Sequence, residues 1–168
     1  MSRAHSKPAA RGEPDLTTTP TAPGTARAVL ALRLLLGALF IAHLYWKLAI
    51  LPGGLTAWWG NLLANGYPAF VPAYVLSAEL FGALLLIPGV LTRYVALYAM
   101  PMMLGAAQYW LVRKGFYFTQ GGAELPLVWL TLLGIQVTAG DGAYALIRSP
   151  HSRRLLETLV RRHPREFR

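Results

Sequence analysis

His43 and Lys47 stand four residues apart in an otherwise apolar run, and a lone glutamate, Glu79, sits near the middle of a second run, VLSAELFGALLLIPG. Imidazole, ammonium and carboxyl groups exchange protons, and in their protonated forms they donate hydrogen bonds to a carbonyl-bearing ligand. None belongs in hydrocarbon without a partner. A bare carboxylate there costs several kcal/mol unless it is protonated, paired or wetted, so Glu79 calls for a partner elsewhere in the chain. Glu124 and Gln108 add polar groups to two further apolar segments, and Arg33 interrupts the first.

Other chemistries can be set aside by counting. Cysteine is absent, which removes disulfides, iron–sulfur ligation and thiolate nucleophiles from this subunit. The remaining histidines, His5, His151 and His163, are all in the tails, so bis-histidine haem within the apolar region is not expected from this chain alone. The Glu-x-x-His pairs of di-iron bundles are missing, and no metal site is expected. No phosphate loop, Ser-His-Asp arrangement or hydrolase motif is present.

The elements that must position these residues follow from composition. Of the 168 residues 55% are hydrophobic and 14% charged, outside the balance of an ordinary soluble domain. Four apolar segments, about 27–50, 71–90, 93–112 and 123–140, each approach the ~20 residues needed to cross a bilayer. The expected fold is all-α, a four-transmembrane-helix antiparallel bundle over 26–142. Between the first two spans, Trp58 and Trp59 with Leu55, Leu62 and Leu63 predict a short helix lying at the outer interface, ended by Gly66 and Pro68. Residues 1–25, rich in Pro, Ala and Thr, are expected to be a disordered tail. The segment 143–168 is expected to be a basic cytoplasmic tail, partly an amphipathic helix capped by Ser149 with Pro150 at its first position.

The formal charge of +9 sits at the flanks: seven arginines lie between Arg148 and Arg168, and Arg3, Lys7, Arg11 and Arg27 precede or open the first apolar segment. That distribution reports membrane orientation rather than nucleic-acid binding. Arg27, Arg93, Arg148, Arg153 and Arg154 outweigh Arg113 and Lys114, so both termini are expected on the cytoplasmic side of the cell membrane, with the lipid bilayer as the first partner.

Depth follows from helical rise. Measured from the outer surface, His43 falls ~10 Å down, Lys47 ~5 Å, Glu79 ~12 Å, Gln108 ~6 Å and Glu124 ~2 Å. The expectation is that Glu79 is ionised or shares a proton with His43, with Lys47 reaching down and Glu124 completing the rim. Arg33 lies at the opposite, inner end.

These residues carry a resemblance to the DoxX family of small four-helix membrane proteins. It rests on RLLLGALFIAHLYWK (33–47), GYP (66–68), AELFG (78–82), PGVLTR (88–93) and GGAE (121–124), and departs at Leu44 and Ala83, where the family usually has glycine. The family's name derives from a thiosulfate:quinone oxidoreductase subunit, and some members are associated with membrane oxidoreductase complexes. Two functions therefore stand open. One is a subunit of a membrane oxidoreductase system, with partner proteins, in which His43, Lys47 and Glu79 meet a quinone. The other is a non-enzymatic scaffold or small-solute or proton carrier using the same cluster. A homodimer packed through Gly37, Gly82 or Gly105 fits either.

Overall fold

The computed structural model describes residues 23–150. The tail expected to be disordered up to residue 25 falls outside them except for its last three residues, as does the basic segment beyond Pro150. Among the described residues the chain is all-helical, with one isolated bridge between Val90 and Ile147. Helix α1, Pro23–Tyr45, runs without a break into a π-helical turn, Trp46–Ile50. Then follow α2, Gly54–Ala64, α3, Phe70–Leu85, α4, Thr92–Lys114, and α5, Glu124–Ala139, with a short 3-10 turn at Phe118–Gln120.

Pairing closes a ring: α4 packs on α5, α1 on α3, α3 on α4 and α1 on α5, while α2 touches mainly the π turn. Helix α2 buries none of its residues and ends at Ala64, capped by Asn65 before Gly66.

The distribution of side chains is inverted relative to a water-soluble bundle. Leu34, Leu35, Leu48, Leu97, Leu104 and Leu84 face outward, while Arg33, Lys47, Glu79, Thr92, Gln136 and Asp141 are buried. Helices apolar on their outward faces with ionisable groups turned inward are what a lipid solvent demands. Alanines 78, 83, 96, 99 and 107 line the contacts and let the backbones approach.

Two of the helices, Pro23–Ile50 and Thr92–Lys114, are long and apolar enough to cross a membrane. Helices α3 and α5 have 16 residues each, a rise of about 24 Å. Helix α3 stops at Leu85 rather than at residue 90, because Pro88 and Gly89 turn the chain. Gly89 sits at φ +76°, and a Cβ there would strike the Arg33 guanidinium and lie 2.8 Å from Ala145 Cα.

Of the glycines expected to serve a dimer, two are used inside the monomer. Gly37 faces Ile87, and Gly82 receives the Phe40 ring so closely that a Cβ would overlap it. Gly82→Ala is therefore expected to lower stability in detergent by about 1–3 kcal/mol, through overpacking. An ordinary helix-interior Gly→Ala change raises stability by up to about 1 kcal/mol, so the sign of the melting shift decides the matter.

Candidate functional site

Lys47 belongs to the π turn. Its i→i+5 geometry is visible in the 2.8 Å bond from Leu51 N–H to Trp46 O, just before Pro52, which can donate nothing. Lys47 and His43 stand four residues apart on nearly one side of the helix, yet Lys47 is buried and His43 exposed.

The Lys47 ammonium donates to both carboxylate oxygens of Glu79, on α3. Both side chains are almost fully removed from solvent. The indole of Trp58, from α2, covers the ammonium at 4.2 Å from Nζ to the ring centroid, a cation–π contact that closes the site on the α2 side. One turn along α3, Gly82 admits Phe40, which draws α1 and α3 together beneath the pair.

The partner of Glu79 is thus Lys47, not His43. His43 directs Nδ1 to the Leu39 carbonyl of its own helix at 3.3 Å, and its ring stands edge-on to Trp129 with centroids 4.9 Å apart. Depth matching failed because it compared Cα heights, whereas a lysine side chain spans several ångströms along the helix axis.

Glu124 does not complete a rim around the pair. It opens α5 and accepts from Phe118 N–H at 3.0 Å, which fastens the α4–α5 loop. Gln108 is exposed on α4, and Arg33 lies at the opposite end of the bundle.

That opposite end holds a second polar cluster, which the sequence reading touched only through Arg33. Helix α4 begins at Thr92 after Leu91, a residue in the left-handed region with no capping side chain. One of its orphan amides, that of Arg93, is served by Asp141, beyond α5. The Asp141 carboxylate accepts from Thr92 Oγ1 at 2.8 Å, Arg93 N–H at 3.4 Å, Ser149 N–H at 2.6 Å and Ser149 Oγ at 3.0 Å. Ser149 thus donates to Asp141, and the helix it is expected to cap lies outside the described residues. Gln136 donates to Thr92 Oγ1 at 3.1 Å and to Gly140 O at 2.7 Å. Arg33 donates to the main-chain carbonyls of Asp141, at 3.1 Å, and Tyr144.

Burial alone would raise the Asp141 carboxyl, but the hydrogen bonds from Ser149, Thr92 and Arg93 outweigh it and hold the group below the usual carboxylate range. Its legible signal was a helix start at Thr92 lacking its own cap.

Among the described residues no group of three or more His, Cys, Asp or Glu could hold a metal ion. At the outer end of α4, Arg113 stacks on Tyr109 at 3.8 Å and donates to Asn65 Oδ1 at 3.1 Å, joining the α2–α3 connection to α4.

Inverted polarity, two membrane-length helices and a buried ion pair define a small helical membrane protein. The DoxX family profile matches residues 28–114, from α1 through α4. The chain belongs to the DoxX family. No curated protein and no solved structure matches it.

Proposed function

We propose that the chain is a four-span subunit of a membrane oxidoreductase system, with α1, α3, α4 and α5 crossing the bilayer, and that Lys47 and Glu79 form its quinone-facing polar centre. The observation that carries this is the ion pair itself. A bundle this apolar could be closed by leucine and methionine at no loss, since replacing a buried pair by apolar residues is often neutral or stabilising by about 1–4 kcal/mol. Keeping two buried charges in so apolar a bundle, one of them on a π turn, supports a functional role for the pair.

The residues suit the ligand. Lys47 Nζ can donate to a quinone carbonyl, Glu79 can hold or release a proton beside it, and Trp58 offers an apolar aromatic wall. Entry requires α2 to swing Trp58 aside, and α2 has no buried residue to resist that motion. Electrons would come from a bound cofactor or a partner subunit, since the chain itself has no cysteine. His43 has no part in this centre.

A second reading, a structural clasp in a non-catalytic scaffold, is favoured by one fact: both oxygens of Glu79 are already occupied. The double variant Lys47→Met/Glu79→Leu separates the two. It should remain folded and lose at least tenfold in affinity for a short-chain quinone analogue titrated into proteoliposomes. Unchanged affinity would transfer the pair to the clasp, and no analogue binding to the unaltered protein would end the quinone reading altogether.

A further inference from the structure

We infer that the outward face of α4 is the contact between two copies of this chain, paired in parallel about a two-fold axis along the membrane normal, with Gln108 bonded to its own counterpart. This rests on α4 lying in a bilayer but on no redox role.

The face reads Tyr94, Leu97, Pro101, Leu104, Gln108, Leu111, spaced three, four, three, four and three. That is the heptad spacing of a seam made to meet another helix, and every member is exposed or close to it. Leu97, Leu104 and Leu111 remain 53%, 59% and 52% exposed. Neither α3 nor α5 covers them.

Exposed leucines alone would mean only lipid contact. Gln108 is the exception: a primary amide on the lipid-facing side of a span, with no hydrogen-bond partner among the described residues. It carries two donors and an acceptor, so it is complementary to itself. In two copies inserted with the same orientation, residue 108 stands at the same depth in both, and parallel seams bring like positions together. A single polar residue in an apolar seam is also the established means of setting register.

Gly105, one turn earlier, has nothing within 4 Å of where a Cβ would be, so the helices can approach closely beside the amides. At the other end of the seam an open groove of about 560 Å³, lined by Tyr74, Tyr94, Leu97, Tyr98 and Pro101, offers holes for the partner's side chains. Half-exposed side chains along the face supply on the order of 500 Å² per copy, so a symmetric pair removes about 1,000 Å² in all, enough for a specific contact.

The absence of cysteine makes the test clean. Leu104→Cys and Leu111→Cys, reconstituted singly in liposomes and oxidised, should form disulfide-linked dimers. Leu80→Cys on α3 and Ile135→Cys on α5, equally exposed, should not. Adding Gln108→Leu should weaken association, followed by energy transfer between labelled copies, about tenfold, and Gln108→Asn should restore most of it. Cross-linking strongest at residue 80 or 135 would move the interface elsewhere, and monomers throughout would leave the seam covered by lipid alone. Either overturns the inference. Gln108→Leu associating as tightly as the unaltered chain would remove Gln108 from it.

Discussion

Lys47→Met and Glu79→Leu, made singly, should each lower unfolding stability in detergent by about 3–5 kcal/mol, while the double variant returns to within about 1 kcal/mol of the starting protein or exceeds it. The asymmetry comes from desolvation. With both partners present the ammonium satisfies both carboxylate oxygens, and removing either strands a charge that neither the Phe40–Gly82 contact below nor Trp58 above can solvate. Removing both leaves a volume that Met and Leu fill. Melting curves for the four proteins give the coupling energy directly. Additive single effects would mean that the two side chains do not depend on each other, and the site would lose its basis.

Asp141→Ala should be nearly as damaging, about 2–4 kcal/mol, because it orphans donors from three other residues and uncaps α4. Its pH dependence gives a sharper test than its size. A carboxyl held below its ordinary value contributes stability that is fully present above the unfolded value, near 4, and is lost as pH falls through the lower folded value. The melting-temperature difference between the unaltered protein and Asp141→Asn should hold steady from pH 7 to about 5 and close below about 4. A difference that stays constant into strong acid would show that shape at residue 141, not its charge, supports the helix start.

Much of this architecture was legible in the sequence, for identifiable reasons. Apolar length located the helices, since hydropathy needs no tertiary information, and Pro88–Gly89 marked the tight turn even though α3 ends earlier than its apolar run. A short helix does fall where Trp58 and Trp59 with Gly66 and Pro68 predicted one. That Glu79 needs a partner was also readable from burial cost alone. Which partner it takes was not. The choice between His43 and Lys47 depends on the reach of the lysine side chain and on which of the two the fold buries, and hydropathy records neither.

The Asp141 cluster was hidden for a different reason. Thr92, Gln136 and Ser149 are ordinary helix-end or surface types, and only the fold brings residues 33, 92, 136 and 141 together. Gln108 was read as part of a common polar site because depth was the only coordinate available. Azimuth around the helix separates it from the ion pair.

The ion pair has an electrical consequence. Moving one elementary charge through a membrane potential involves about 2.3 kcal/mol per 100 mV. Opposite charges held side by side at one depth sum to zero, so the transmembrane voltage exerts no net pull on the clasped state. Neutralising Glu79 with a proton would leave Lys47 as a lone positive charge partway across the field, and from then on voltage would bias its position. Proton uptake at Glu79 and membrane polarisation would then act on the same pair, one unbalancing the charge that the other can move.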